Sequence, residues 1–528
     1  MAVAKYFGRA ATAASQVLQG FDAKDFEGLL NGLVIGIGFD QQACSTEGRA
    51  SLDLLIRLVS RLYPTICLLP AGEEARKLAK SLASLARSIN ERITIARRGS
   101  SPLSHCLVVG STIPEASCPK LFLGSDGWIV KFSAERPVGS GNSHNTFGAG
   151  AAACIAASNL FRQIFNKQVS GATVDQAVMF SLFDYAPGSR SNPPLADVIL
   201  LDNLFLLGLG AIGNGAIWAL SRVPRLQGYL QVVDAELVDQ GNLQRYVLAL
   251  ERDIGQSKVK LARRYLNARP DLAVEGHSRR WQTLPALRSM QHVAIALDTT
   301  ADRIALQGTL PRWTINSWTQ RGDLGVSHHG FEGEMACLAC LYLPNGAVPD
   351  DDQLIAEALG LEDRKMDIVR PMLHNGAPVS MDLMRQIACR LTIPVEPLLP
   401  FVGQPLRSLY QGAICGGIVF DLTAGSKPVR VEVPLAFQSA MAGIMLAGEI
   451  VKQATGNAPD WTTAKLNLLR KMPSDVITER RKKDRLGRCI CQDADYLDVY
   501  RAKYEAQTEM ASPKGGPFGS GGRRRPRL

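Results

Sequence analysis

No apolar run in this 528-residue chain reaches the length of a membrane-spanning helix. The first residues, MAVAKYFGRAATAASQVLQGF, also lack the clean apolar core of a signal peptide. These absences point to a cytoplasmic protein with no membrane partner, and to an amphipathic surface helix at the N-terminus. Charge is modest, at 20% of residues against 46% hydrophobic, which fits a globular chain. The cysteines number 11, an odd count, scattered mostly through apolar stretches. That argues against a disulfide scaffold and for a reducing compartment, and it marks Cys67, Cys106 and Cys154 as buried thiols.

Acidic residues are the minority, and the net charge is +10. Five basic residues, Lys514, Arg523, Arg524, Arg525 and Arg527, sit in the final ASPKGGPFGSGGRRRPRL. Gly, Pro and Arg cannot build a core there, so residues 511–528 are expected to form a solvated, disordered basic tail. Without that tail the composition gives little footing for a nucleic-acid partner.

The length exceeds one ordinary core, so two large lobes are expected. In the first, GLVIGIGF (32–39), TICLLP (65–70), ITIARR (93–98) and HCLVVGS (105–111) read as buried strands. AGEEARKLAKSLASLARSI between two of them reads as a helix, and β-α-β implies a parallel sheet. NTFGAGAAACIAASNLFRQIF (145–165) is a small-residue helix suited to close packing on another helix. SRSNPPLADVILLD marks a boundary near 189–202. The second lobe continues through strand YLQVVDAELVD (229–239), helix QSKVKLARRYLNARP and strand QHVAIALDTT (291–300). From 345 to 412 the prolines Pro349, Pro371, Pro378, Pro394, Pro397, Pro400 and Pro405 suggest an irregular inserted or crossing segment rather than a third core. LAFQSAMAGIMLAGEIVKQATG (435–456) is a long apolar-faced helix. Both lobes open on a glycine-containing apolar strand, which suggests a degenerate repeat, although GIGFDQQA lacks a third glycine.

The second lobe opens with LFLLGLGAIGNGAIWALSRV, carrying Gly208-x-Gly210-x-x-Gly213 between a strand and a helix. The first glycine makes the turn, the second admits a phosphate, and the third lets the helix pack on the sheet. The helix N-terminus then faces the phosphates. Alone, the motif serves NAD, FAD, a methyl donor or ATP equally, and Asp234 at the end of the next strand could bind a ribose in any of them. Asn242, Gln244, Arg245 and Lys258 follow closely. Fixed cations suit an enzyme that cleaves ATP between its α- and β-phosphates, where they oppose developing charge. They do little for hydride transfer, which leaves an NAD-dependent oxidoreductase as the weaker alternative. Arg245, Lys258 and Asp234 together argue against a non-catalytic scaffold.

The run Gly208, Gly210, Gly213, Asp234, Asn242-Leu-Gln-Arg245 and Gly255-Gln-Ser-Lys258 resembles the adenylation domain shared by ubiquitin-activating enzymes and the bacterial ThiF and MoeB proteins. The resemblance covers roughly residues 200–460, with Tyr246 standing where the family usually has Gln. It implies an α/β fold of two Rossmann-like lobes. Residues 1–190 would be an inactive adenylation-like half. Residues 200–460 would be the active ThiF-type domain, with a crossover segment over 345–415 that carries a cysteine. A zinc-associated segment over 461–510 and the tail would follow. The resemblance also implies ATP and magnesium, with Asp298 or Asp302 of IALDTTADR as the magnesium ligand and the other a helix cap.

Cys337-x-x-Cys340 with Cys489-Ile-Cys491 implies a structural zinc site of four thiolates, although a lone CxxC could instead be redox-active. Cys415, in YQGAICGGIVFDL ahead of the helix containing Gln438, is the implied thioester-forming nucleophile. Cys389, in LMRQIACRLTI, reads as core. His328 and His329 read as surface histidines with ordinary partners. Arg136, Arg162 and Arg190 are candidates for an arginine lent by the first lobe to the ATP site. The overall likeness is to two-lobed bacterial activating enzymes found with ubiquitin-like, conjugating-enzyme-like and deubiquitinase-like partners. The expected function is ATP-dependent activation of a ubiquitin-like protein for hand-over to a conjugating enzyme. Adenylation of a sulfur-carrier protein is the alternative within the same chemistry. Single-half relatives dimerise, so a homodimer stays open.

Overall fold

Strand β1 (Ile35–Phe39) is buried at every residue, as a strand covered by helices on both faces must be. The computed structural model describes residues 4–285, 287–320, 322–343, 351–361, 366–391, 393–410, 433–472 and 476–511. Ahead of β1 stand helices α1 (Phe7–Ser15) and α2 (Ala23–Gly32). After it come α3 (Thr46–Val59), β2 (Thr65–Pro70), α4 (Glu73–Ile89), β3 (Thr94–Ile95) and β4 (His105–Val109). Then follow β5 (Lys120–Asp126), β6 (Ile129–Ser133), α5 (Phe147–Ile164) and β7 (Ala177–Ser181). The sheet order is β3-β2-β1-β4-β5-β6-β7. It is parallel as far as β5, after which β6 and β7 add antiparallel.

The second sheet repeats this plan. Its elements are β8 (Ile199–Leu207), α6 (Ala211–Leu220), β9 (Leu226–Val233), α7 (Lys258–Leu266), β10 (Leu272–His277), β11 (His292–Ile295), α8 (Thr300–Gln307), β12 (Trp313–Thr319) and β13 (Leu324–Gly330). Helices α9 (Leu338–Tyr342), α10 (Asp351–Ala358), α11 (Met366–His374), α12 (Met381–Leu391) and α13 (Leu406–Leu409) follow. The described chain ends with α14 (Ala436–Ala454), β14 (Thr463–Leu466), β15 (Ile477–Glu479) and α15 (Ala494–Ala511). The order β10-β9-β8-β11-β12-β13-β14-β15 again runs parallel through five strands and antiparallel beyond them. The protein is thus an α/β fold with two mixed sheets. Among the described residues, no helix is long and apolar enough to cross a membrane.

One hydrophobic core runs through both lobes. The small-residue helix α5 packs against α14, and a Cβ on Gly150 would lie 2.6 Å from the Trp218 ring. Polar links cross the same boundary. Asp53 of α3 accepts from Trp218 Nε1 (2.8 Å) and Arg222 Nη2 (2.7 Å) of the second lobe. Tyr185 donates to Glu449 of α14 at 2.8 Å.

Several expectations need correcting. Helix α1 does not lie on the surface: Ala10 to Ala14 are buried, because an alanine-rich stretch lets backbones approach closely. ITIARR contributes only the two-residue β3. The proline-rich stretch is helical where described, and α10 to α13 enclose a separate apolar cluster around Leu359, Met384, Ile387 and Leu406. Pro405 sits at the N-cap of α13, where a helix tolerates proline, whereas Pro371 lies inside α11. Cys389 is exposed: Leu383, Met384, Ile387 and Ala388 form the buried stripe of α12, and Cys389 falls beside it. His328 and His329 are satisfied but are not surface residues, since β13 is covered on both sides. His328 bonds Glu449 at 2.8 Å. His329 is buried between the Ala336 carbonyl and Ser327 Oγ, and burial drives its pKa down to about 4.

Candidate active site and metal centre

The second sheet's strand order reverses between β8 and β11, which opens a crevice at their carboxyl ends. Gly208 leaves β8 with φ +89°, and a Cβ there would lie 2.5 Å from the Ala296 carbonyl oxygen. A Cβ on Gly213 would lie 2.3 Å from the Gly208 carbonyl oxygen. These two glycines are demanded by the protein's own packing. Gly210, the N-cap of α6, differs: among the described residues a Cβ there would meet only Tyr246, at 3.4 Å. Its missing side chain leaves room above the turn for a ligand. Asp234, following β9, fixes the turn from behind by accepting from the backbone N–H groups of Leu209 (2.8 Å) and Glu236 (2.9 Å). Burial raises the Asp234 pKa, against the pull of Lys258.

The turn Gln240–Gln244 delivers Arg245 beside the crevice. Arg245 Nη1 is buried with no hydrogen-bond partner among the described residues, an orphaned cationic donor of the kind that marks an anion's place. Lys258 begins α7, is 4% exposed, and pairs with the exposed carboxylate of Glu236. Burial disfavours its charge, but Tyr246, Asp234 and Glu236 more than offset that and raise its pKa. The open cradle over Gly210 and the orphaned guanidinium fit the phosphates of ATP.

Asn242 is committed locally: its amide exchanges hydrogen bonds with Asp239 in a reciprocal cap of the turn. Gln244 reaches the Pro434 carbonyl at 3.4 Å, where the chain returns from the crossover. Asp298 is exposed just beyond Ala296 and Leu297, which pack on Gly208. Asp302 sits in the first turn of α8, where Thr299 Oγ1 and Trp281 Nε1 donate to its carboxylate.

None of the three proposed first-lobe arginines reaches this crevice. Arg162 is buried in an ion pair with Asp175 inside its own lobe. Arg136 and Arg190 are exposed, with no partner in the second lobe among the described residues. The arginines that do cross went unforeseen. Arg57 donates to the Val247 carbonyl (2.9 Å), and Arg61 to those of Tyr246 (2.5 Å) and Ala249 (2.7 Å), which clamps the chain after Arg245. Arg9, the basic residue of α1, lies against the Gln240–Gln244 turn, its Cγ 3.9 Å from where a Gly241 Cβ would be.

Away from the crevice, Cys337, Cys340, Cys489 and Cys491 converge. Their sulfurs lie 3.8 Å (337–340), 3.4 Å (337–489) and 3.6 Å (340–491) apart, and all four fall within 4.8 Å. Four thiolates about 2.3 Å from a central zinc stand about 3.8 Å apart, so the cluster is consistent with structural zinc. The short Cys-Ile-Cys spacing works because Ile490–Gln492 forms a tight turn. Phe331, Tyr500 and Tyr504 pack around the cluster. Cys415 lies outside the described residues.

Residues 196–491 match the model of the ThiF family, and residues 38–166 match Prokaryotic E2 family C. "Uncharacterized protein y4jF" of Sinorhizobium fredii (strain NBRC 101917 / NGR234) is 48% identical over 518 residues, 97% of this chain and 99% of that one. The NEDD8-activating enzyme E1 catalytic subunit of Saccharomyces cerevisiae (strain ATCC 204508 / S288c) is 29% identical over 117 residues; the match covers 22% of this chain and only 39% of the yeast protein. A crystal structure of E. coli MccB with AMPCPP and MccA superposes with a TM-score of 0.32 at 12% identity, covering 54% of this chain and 65% of that one. The family match spans more than half of the sequence and sets aside the nicotinamide reading: the chain belongs to the ThiF family and is an E1-like adenylyltransferase that uses ATP.

Proposed function

We propose that this chain activates the C-terminal carboxylate of a ubiquitin-like protein and passes it on as a thioester. The observation that carries the reading is the orphaned guanidinium of Arg245 and the buried Lys258, both beside the open cradle over Gly210. A carboxylate oxygen attacks the α-phosphorus of ATP, the bond from that phosphorus to the departing pyrophosphate breaks, and an acyl-adenylate remains. Arg245 and Lys258 oppose the charge that builds on the phosphates. Asp234 keeps the glycine turn in place, and Arg9 is the arginine lent by the first lobe. Asp298 suits magnesium better than Asp302, because the Asp302 carboxylate already accepts from Thr299 Oγ1 and Trp281 Nε1. Bound there, the metal would neutralise phosphate charge.

The Cys415 thiolate then attacks the acyl carbon. A carbon–sulfur bond forms, the carbon–oxygen bond to AMP breaks, and AMP leaves. The match of residues 38–166 to a prokaryotic E2 family supports hand-over to a conjugating-enzyme-like partner. The first lobe is the catalytically silent half, and the four-cysteine cluster holds a structural zinc.

The test is ATP–pyrophosphate exchange and intact mass with ATP, magnesium and host lysate. Arg245→Ala and Lys258→Ala should each abolish exchange; exchange persisting in both would sink the active-site assignment. Cys415→Ala should keep exchange and lose a thiol-sensitive small-protein adduct. An adduct that survives Cys415→Ala but disappears in Cys389→Ala would move the nucleophile to the exposed thiol of α12. AMP formation without any adduct would favour the sulfur-carrier reading.

A further inference from the structure

Among the described residues, Tyr246 alone bounds the open side of the glycine turn. Among the described residues, a Cβ built on Gly210 would meet Tyr246 Oη at 3.4 Å and Cζ at 4.0 Å, with nothing else within 4 Å. Tyr246 is 4% exposed. The Arg245 guanidinium lies 5.6 Å from its ring centroid and Lys258 Nζ 5.1 Å. A neutral phenol has one proton to donate. Burial raises the Tyr246 pKa against the pull of Lys258 and Arg245, so that proton stays on at neutral pH. The glutamine usual at this place in the family resembling this run would offer an amide N–H. A phenol replaces that donor with an O–H and keeps one donor at the turn.

We propose that Tyr246 is a ligand of the ATP phosphate chain: its hydroxyl donates to a phosphate oxygen laid over Gly210. The assignment rests on the nucleotide site described above. A hydroxyl aimed at the phosphates distinguishes ligands by their phosphate chain and is indifferent to the nucleoside. A buried tyrosine that only shapes the crevice would affect both alike.

Full-length wild type, Tyr246→Phe and Tyr246→Gln would be titrated with magnesium–ATP and with adenosine, by displacement of a fluorescent ATP analogue, with unfolding midpoints measured alongside. Loss of a hydrogen bond to a charged acceptor should weaken ATP binding about tenfold in Tyr246→Phe. Adenosine should stay within about twofold, and Tyr246→Gln should recover ATP binding to within about threefold of wild type. ATP binding unchanged in Tyr246→Phe overturns the proposal, as does an equal loss for ATP and adenosine. If Tyr246→Phe fails to fold, Tyr246→Gln decides alone: near-normal ATP affinity supports the role, and parallel loss of both ligands overturns it. Wild type binding no magnesium–ATP would overturn the nucleotide site itself, an outcome distinct from a silent Tyr246→Phe.

Discussion

The two lobes share one strand plan and treat the same crevice in opposite ways. Where the second sheet leaves glycine and open space beyond β8, the first fills the place beyond β1 with its own carboxylates. Asp40 accepts from the backbone N–H groups of Gln42 (3.0 Å) and Ser111 (2.9 Å) and from Ser111 Oγ (2.6 Å), tying the end of β1 to the end of β4. Glu47, in the first turn of α3 and 0% exposed, accepts from Gly127 N (2.9 Å), Ser143 N (3.0 Å), Ser143 Oγ (2.8 Å) and Ser125 Oγ. A helix N-terminus favours an anion. The second lobe keeps that preference for a ligand, whereas the first meets it with a side chain. The first lobe thus carries its anion built in, and it turns Arg57, Arg61 and Arg9 toward the second.

The contrast can be broken most severely at paired glycines. Gly213 and Gly48 both sit in the first turn of the helix after their lobe's first strand, and a Cβ would strike backbone at 2.3 Å and 2.5 Å respectively. Gly213→Val should abolish ATP binding. Gly48→Val should cost stability, visible as a lower unfolding midpoint, while the protein that remains folded binds ATP normally. Loss of ATP affinity in both would mean that the first lobe takes part in nucleotide binding. Glu47→Ala comes next. It strands several buried donors, each costing about 1–3 kcal/mol, so denaturant unfolding should register a loss on the order of 3 kcal/mol or more. Nucleotide affinity should again be unchanged.

A smaller effect should appear with acid. His329 is held neutral in the fold with a pKa of about 4, below its ordinary 6.5. The unfolded chain therefore binds a proton that the folded one refuses. Stability from this residue is full above about pH 6.5 and falls as the pH drops toward 4, by about 3 kcal/mol at most. His329→Gln should flatten that part of the stability–pH curve, and an unchanged slope would remove His329 as its source.

What the sequence disclosed follows from how local each constraint is. The glycine turn was legible because only glycine fits beside the Ala296 carbonyl, and the requirement is written within six residues. The four cysteines were legible as a chemical set, despite lying about 150 residues apart. The hairpin of β5 and β6 went unread although Asp126-Gly127 between two apolar runs is a turn signal. Arg57 and Arg61 were illegible for a different reason. On α3 they look like ordinary helix arginines, and only the lobe packing brings them to carbonyls some 190 residues away. Cys389 was misplaced because an apolar stretch was read as all core, when one step along a helix turns a side chain by about 100°.

The finest test of the comparison concerns how the open crevice manages its charge without a ligand. The first lobe's anion is buried and permanent. The nearest equivalent in the second is Glu236, whose carboxylate pairs with Lys258 but whose side chain is 72% exposed. An exposed carboxylate can swing into water, so it holds the buried Lys258 ammonium only loosely. It nevertheless occupies the ammonium that the phosphates need, and it carries the wrong charge to remain beside them. Glu236→Gln should therefore tighten magnesium–ATP binding about two- to threefold, with the gain shrinking as salt rises. Weaker ATP binding in Glu236→Gln would show instead that Glu236 positions Lys258 for the nucleotide, and the second lobe would then hold a fixed carboxylate of its own, as the first does.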